Sequence, residues 1–259
     1  MKHVLLTGAA GRLGTVLSGG LPASDLHILR TDRVHPASTD TSCPYRRCDL
    51  CSLEDVISLA DGVDTIVHAA GIPDEAPFAI LNESNILATF NVFEAARIAG
   101  VRRVVYASSA HIVGLYPPSY SVTGATAPAP DSVYAATKLF GESLGGVYSA
   151  KHGLSVVNIR IGSFRPAPEN SRQLHTWLSH RDAIAIFDRA VRADVDGVLV
   201  AYGVSNNSRS WWPREGAHAL GFKPVDSADD YDEHVPLDPD SANWQGGTFA
   251  RSDYAGGVG

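Results

Sequence analysis

The sequence has no continuous apolar run of about 18 residues, the length that a helix needs to cross a membrane. It also lacks an excess of positive charge, because 28 acidic residues outnumber 21 basic ones and give a formal net charge of −7. We therefore expect neither a nucleic acid nor an anionic membrane as a partner. The 259 residues, of which 44% are hydrophobic, suit one large α/β domain with at most a small appendage.

Cysteine is scarce, and the three cysteines, Cys43, Cys48 and Cys51, lie close together. A metal or iron–sulfur site would need a fourth ligand and a loop that can wrap an ion. Cys48 falls instead at the end of a short predicted strand within residues 45–50, so we favour free, reduced thiols and expect no metal.

The apolar run that opens the chain is too short for a signal peptide, and we predict a cytoplasmic protein.

Short apolar runs alternate with helical stretches along the first 162 residues. Strands are predicted at residues 2–6, 26–30, 65–69, 103–107 and 155–161. Helices are predicted at residues 13–21, 52–60 with Ser52 as its N-cap, 80–99 and 133–152. This alternation predicts parallel strands joined by crossover helices, and continuous apolar runs indicate strands covered on both faces. The expected fold is α/β, a doubly wound parallel sheet of the Rossmann type.

A glycine-rich turn joins the first predicted strand to the first predicted helix. Gly8, Gly11 and Gly14 have the spacing G-x-x-G-x-x-G, which permits a tight turn and close approach of the backbone to a pyrophosphate. Arg12 and Leu13 open the helix, whose N-terminus supplies amide donors. Glycine triplets also occur in turns without a ligand, but the position between strand and helix predicts dinucleotide binding.

Asp32 ends the second predicted strand, near the spacing of about 20 residues expected for a carboxylate that accepts hydrogen bonds from the adenosine ribose. A carboxylate there repels the 2′-phosphate of NADP, although Arg33 would offset part of that repulsion, so we predict NAD. Residues after the third and fourth strands are expected beside the adenine and along the cofactor: Asp49, Leu50, Ala69, Ala70 and Gly71.

Tyr134 and Lys138 are separated by one helical turn, so their side chains share one face of the predicted helix. We expect the ammonium to lower the tyrosine pKa toward neutrality, which would let Tyr134 act as acid/base while Lys138 holds the nicotinamide ribose. Such pairs are common by chance, but here a strand ending in Ser108 and Ser109 precedes the helix. Strand-end capping explains Ser108, whereas we expect Ser109 to bind the reacting oxygen.

Together these motifs resemble the extended branch of the short-chain dehydrogenase/reductase superfamily, which includes sugar epimerases and dehydratases, over about residues 1–165. A narrower resemblance, to the uronate dehydrogenases, extends through most of the chain. Its matching segments are residues 107–111, 160–163, 174–180, 211–212, 220–224 and 245–249. That family oxidises glucuronate or galacturonate at C1 with NAD, which gives an aldarolactone.

The resemblance implies catalytic roles for Ser109, Tyr134 and Lys138, and a place for Phe164 beside the cofactor. It also implies a set of substrate-binding residues: Ser109, Ala110, His111, Ser163 and Arg172. The planar fork of an arginine matches a uronate carboxylate, although a loop arginine exposed to solvent is the simpler alternative for Arg172. The corresponding alternative for His111 is a packing histidine after a strand.

Three positions depart from the pattern of the uronate dehydrogenases. Ala110 replaces a usual asparagine, Pro73 a usual serine and Phe164 a usual small residue. Each missing hydrogen bond to a sugar hydroxyl would cost about 1–3 kcal/mol, which leaves a related enzyme for a different alcohol or ketone as an alternative. A nucleotide-sugar epimerase ranks low because the chain is short, and a non-enzymatic NAD sensor ranks low because Tyr134 and Lys138 are both present.

Proline and tryptophan become frequent after residue 162. We therefore predict an NAD-binding domain with the catalytic residues over 1–162, and a small substrate-binding and oligomer-contact portion over 163–259. A homo-oligomer is expected from the resemblance.

The Pro-, Ser- and Thr-rich segment 117–130 is either an ordinary surface connection or a flap over the site, and we favour the flap.

Overall fold

The computed structural model describes residues 1–22, 24–35, 43–123, 125–238, 240 and 243–256. A parallel sheet of seven strands forms the centre of the molecule, in the order β3-β2-β1-β4-β5-β6-β9. These strands are β1 (Lys2–Thr7), β2 (Leu26–Asp32), β3 (Tyr45–Arg47), β4 (Thr65–His68), β5 (Arg103–Ser109), β6 (Ser155–Ile161) and β9 (Val198–Gly203). Two short strands, β7 (Ser163–Phe164) and β8 (Trp177–Leu178), pair separately.

Helices pack on both faces of the sheet. They are α1 (Arg12–Gly20), α2 (Leu53–Ala60), α3 (Phe78–Leu81), α4 (Ala88–Ile98), α5 (Val133–His152), α6 (Gln173–Thr176), α7 (His180–Arg192) and α8 (Glu215–Ala219). In β1, Val4 and Leu6 enter the core beneath α1 and α7, and Leu5 enters the core beneath α2, α4 and α5. No helix in the described part of the chain is long and apolar enough to cross a membrane.

The predicted doubly wound α/β fold is confirmed. From β1 the chain builds one half of the sheet through β2 and β3, then returns to add β4 on the other side of β1. This reversal opens a crevice beyond the carboxyl ends of β1 and β4, where ligands bind in sheets of this kind.

Several local predictions are reproduced, including the bounds of α5 and β6 and the N-cap of α2, where the Ser52 hydroxyl accepts from the Asp55 amide at 3.4 Å. The predicted helix 80–99 differs. It is divided into α3, a π-helical turn over Asn82–Leu87 and α4. The wider turn brings the Asn85 side chain against the loop after β4 and against α5, and π-turns are frequent at functional sites.

The sheet extends beyond the boundary predicted at residue 162. Helix α7 packs against α1, and β9 then pairs in parallel with β6 as the outermost strand. The chain after β6 therefore both lines the cavity and adds the outermost strand of the sheet. β9 was not predicted, although residues 198–202 form a short apolar run like those predicted as strands elsewhere.

Candidate active site

A cavity of about 400 Å³ lies at the carboxyl edge of the sheet. Strand ends, the glycine turn, α5 and the segments after β6 all contribute to its walls. The predicted site residues that line it are Gly11, Arg12, Leu13, Gly14, Ala69, Gly71, Ser109, His111, Tyr134, Lys138, Ser163, Phe164 and Arg172. The predicted residues that do not line it are Gly8, Asp32, Asp49, Leu50, Ala70 and Ala110.

The glycine turn forms a cradle with no room for side chains. Gly8 has φ +71°, and a Cβ there would lie 2.5 Å from the amide nitrogen of Ala70. A Cβ on Gly14 would lie 2.0 Å from the carbonyl oxygen of Gly8, because α1 begins directly against the turn. Such close packing leaves the amides at the start of α1 open to a pyrophosphate, and the residues present fit a dinucleotide.

Asp32 lies beside this cradle at the end of β2. Its carboxylate accepts from the Ala10 amide at 3.0 Å and from the Val34 amide at 3.3 Å. The Asp32 carboxylate thus lies next to the glycine turn, as expected for a group that accepts a hydrogen bond from a ribose hydroxyl. Asp49 accepts from the Cys51 amide at 3.0 Å, and the carbonyl of buried Leu50 accepts from Asn91.

The side chains of Tyr134 and Lys138 both reach the cavity from α5. Lys138 Nζ donates to the carbonyl of Ala107 at 2.9 Å, and burial lowers its pKa to about 8. Burial raises the pKa of Tyr134 to about 12, and the hydrogen bond with Ser109 opposes that rise. The expectation that Lys138 brings the tyrosine pKa toward neutrality is therefore wrong for this structure, because desolvation outweighs every other effect on the phenol.

The capping role that was expected for Ser108 belongs to Ser109 in the structure. Ser108 donates to Glu142 at 2.6 Å, and Glu142 forms a buried ion pair with Arg160. Ser109 provides the cap, because its hydroxyl accepts from the His111 amide at 3.2 Å and begins the 3₁₀ turn Ala110–Val113. Capping uses only part of a hydroxyl's capacity, and the nearby Ser109 hydroxyl also opposes the rise in the pKa of Tyr134.

Arg172 lines the cavity at the N-terminal end of α6. Its Nε donates to the carbonyl of Gln245 at 2.8 Å, and its Nη1 donates to Ser163 Oγ at 3.3 Å. Burial lowers the pKa of Arg172, while the nearby carboxylates of Asp131 and Asp238 raise it. The guanidinium is held in place and lines the cavity, which excludes the alternative of a loop arginine in solvent.

The flap interpretation of segment 117–130 is not supported. None of the described residues of that segment lines the cavity, and Gln245 anchors it by donating to the carbonyls of Pro117 and Tyr120. The cavity is covered instead by residues near the end of the described chain, among them Phe249 and Tyr254. Phe249 ends the segment 245–249 that resembles the uronate dehydrogenases, whereas no sequence pattern marks Tyr254.

Asn85 is a further residue that sequence reasoning missed. Its side chain accepts from the Ile72 amide at 2.8 Å, and it donates to the Ile72 carbonyl and to Thr137 Oγ1, both at 3.0 Å. It therefore ties the loop after β4 to α5, one residue before Lys138. The asparagine lies inside a predicted helix, and only the π-turn reveals its inward position.

The sequence of this chain is similar to those of known dehydrogenases, which is consistent with the residues of the cavity and of the glycine turn. Over 259 aligned residues, it is 39% identical to uronate dehydrogenase of Agrobacterium fabrum (strain C58), covering 96% of this chain and 97% of that protein. It is 35% identical to the NAD-dependent glucose-6-phosphate dehydrogenase of Haloferax volcanii, covering 92% and 98%.

Its structure superimposes with a TM-score of 0.90 on a tyrosine-to-alanine variant of uronate dehydrogenase from Agrobacterium tumefaciens complexed with NAD. That pair is 36% identical and covers 96% of this chain and 97% of the other. The resemblance inferred from the motifs is thus confirmed. Residues 4–198 match the NAD dependent epimerase/dehydratase family, and the chain belongs to that family.

Proposed function

We propose that this protein is an NAD-dependent dehydrogenase that oxidises a hexuronate, glucuronate or galacturonate, at C1 to the aldarolactone. The observation that carries the proposal is the placement of Arg172 in the same cavity as Ser109, Tyr134 and Lys138. A fixed guanidinium binds a carboxylate in two parallel hydrogen bonds, so one end of the substrate is anchored while the other meets the acid/base. Full-length similarity to uronate dehydrogenases supports the same substrate class.

The cofactor and three side chains have separate roles in the proposed reaction. When bound, NAD supplies the hydride acceptor. Ser109 hydrogen-bonds the C1 hydroxyl oxygen, and Tyr134 receives its proton. Since the pKa of Tyr134 is about 12 in this structure, the phenol is neutral near pH 7 and must first release its own proton to solvent. The nearby positive charge of Lys138 favours the resulting tyrosinate, which then takes the hydroxyl proton as the hydride leaves C1.

A screen of sugar acids and neutral sugars with NAD and NADP tests this proposal directly. Reduction of the nicotinamide is followed by its absorbance, and the lactone product is identified by mass spectrometry. We expect turnover of at least one hexuronate and weaker turnover of the matching neutral aldose. Turnover of other alcohols or ketones with none on any uronate would contradict the proposal.

A second candidate is a related dehydrogenase for a less polar substrate. Pro73 and Phe164 line the cavity without a side-chain hydrogen-bonding group, and Ala110 is buried. The 35% identity to a glucose-6-phosphate dehydrogenase shows that relatives at this distance act on other sugars. Ala110→Asn separates the two candidates: improved uronate turnover favours the first, and unchanged or poorer uronate turnover favours the second.

We also propose a cytoplasmic homo-oligomer. Cys51 is an exposed free thiol, which suits a reducing compartment. Large apolar side chains are exposed on α3, α4 and α5, and contact between copies would remove such side chains from water. They include Phe78, Phe90, Ile98 and Val147. Light scattering after gel filtration tests the assembly, and a monomer at micromolar concentration would contradict it.

A further inference from the structure

His111 is held by a buried carboxylate that does not itself line the cavity. Its Nδ1 lies 2.7 Å from Oδ2 of Asp131, whose side chain is wholly buried, while the His111 side chain is 15% exposed and lines the cavity. Asp131 is enclosed by two glycines. A Cβ on Gly114 would lie 1.8 Å from Oδ2 of Asp131, and one on Gly246 would lie 2.0 Å from it. These close contacts therefore restrict the position of the Asp131 carboxylate.

The contact fixes the protonation of one ring nitrogen. An ionised carboxylate only accepts hydrogen bonds, so Nδ1 of His111 must carry a proton whether the ring is neutral or charged. The Phe249 ring packs against the imidazole at an interplanar angle of 30°, with the two centroids 4.1 Å apart, which restricts rotation of the imidazole. No hydrogen bond to Nε2 of His111 is present among the described residues.

We propose that Asp131 is a positioning residue that sets the tautomer of His111, so that the neutral ring presents Nε2 as an acceptor to a substrate hydroxyl. The substrate part of this inference rests on the proposed function. The tautomer part does not, because it follows from Asp131 alone. With Nε2 as an acceptor, His111 binds a ligand that has an O–H group facing Nε2 more tightly than a ligand that has only an acceptor there.

Asp131→Asn reverses the polarity of this contact with almost no change in shape. The Ser132 hydroxyl donates to Oδ1 of Asp131 at 2.9 Å and accepts from the Ala135 amide at 3.1 Å. Because the Ser132 hydroxyl donates to the Oδ1 position, that position must hold an acceptor. The amide oxygen of the asparagine therefore occupies it. The amide NH₂ then faces His111 and donates to Nδ1, so the ring proton moves to Nε2 and the ring presents a donor to the cavity.

Nitrogen-15 NMR of the full chain without substrate reads the tautomer directly, at about pH 8 where an ordinary histidine is neutral. His111→Gln assigns the resonance. We expect the Nδ1–H form in the wild type and the Nε2–H form in Asp131→Asn. Asp188→Asn, which makes the same chemical change next to Arg192 on α7, should leave His111 unchanged. An Nε2–H wild type would overturn the proposal even if Asp131→Asn failed to fold.

Kinetics test whether Asp131 acts through His111. We expect Asp131→Asn to raise KM for the hexuronate by about 10-fold with a smaller effect on kcat, as loss of one hydrogen bond to the substrate implies. The double variant Asp131→Asn/His111→Gln should be no worse than His111→Gln alone. Additive losses, or an unchanged tautomer, would overturn the proposal. A switched tautomer in a protein that turns over no uronate supports the positioning role and contradicts the proposed function instead.

Discussion

Lys138 Nζ lies 6.0 Å from the centroid of the Tyr134 ring, one turn along the same face of α5. Both side chains are buried, and burial acts on them in opposite directions: it raises the pKa of the phenol to about 12 and lowers that of the ammonium to about 8. Near pH 7 the pair therefore rests as a neutral phenol beside an ammonium, and Tyr134 must lose its own proton before it can accept one from a substrate hydroxyl.

Removal of the Tyr134 hydroxyl should separate cofactor binding from chemistry. Tyr134→Phe keeps the ring that contacts His111 and Phe249 but leaves no acid/base. We expect turnover to fall by about 1,000-fold or more, with NAD affinity changed by less than about threefold. Tyr116→Phe is the control, since it removes only an exposed hydrogen bond to Ala127. Unchanged turnover would remove Tyr134 from the mechanism.

The charge of Asp32 should determine the preference for NAD over NADP. Asp32→Asn keeps an acceptor beside the Ala10 amide but removes the charge that would repel a 2′-phosphate. We expect the ratio of kcat/KM with NADP to that with NAD to rise by about 10-fold or more. Steady-state kinetics with both cofactors measure it, with the exposed Asp61→Asn as control. A ratio that stays the same would mean that Asp32 serves only to order the glycine turn.

Arg172 should matter for the substrate carboxylate more than for the rest of the sugar. Arg172→Ala is expected to lower kcat/KM for a hexuronate by about 100-fold, the loss of a charged hydrogen bond, and to affect the matching neutral aldose much less. Arg172→Lys should recover little, because an ammonium lacks the planar fork. Arg181→Ala, on the exposed side of α7, serves as control. Equal losses on both sugars would assign Arg172 a purely structural role.

His68 should make the fold sensitive to acid. It is fully buried between Thr7 and Thr89, and burial, followed by the charge of Lys138, lowers its pKa to about 3. A depressed histidine pKa means that the unfolded chain binds more protons than the native chain below about pH 6.5, so stability falls as the pH decreases toward 3.

Between pH 7 and pH 5 this group alone should lower the free energy of unfolding by about 2 kcal/mol. Urea unfolding at the two pH values measures the loss. His68→Gln should be less stable at pH 7 but should lose that much of its pH dependence, whereas the exposed His27→Gln should not. The same pH dependence in wild type and His68→Gln would show that other groups are responsible.

Local rules accounted for the elements that position the site. The glycine turn, the Ser52 cap and the bounds of α5 were all predicted, because each depends on residues close together in the sequence. The division of the helix at Asn85 was not, since the π-turn depends on hydrogen bonds to Ile72 and Thr137 from other elements.

The presence of the cap at Ser109 rather than at Ser108 has a similar origin. Adjacent residues on a strand face opposite sides of a sheet, and the sequence does not say which side carries Glu142 and Arg160. The tyrosine pKa was predicted in the wrong direction because spacing on a helix shows that Lys138 is near but not how deeply Tyr134 is buried.

By itself the sequence determined the strand–helix alternation, the dinucleotide turn and the Tyr134–Lys138 pair, since periodicity and short spacings act within one element. Only the tertiary structure decided what surrounds that pair: Asp131 bonded to His111, and Arg172 and Phe249 in the walls of the same cavity. Those relationships join residues distant in sequence, and they arise because parallel strands bring their carboxyl ends to one edge of the sheet.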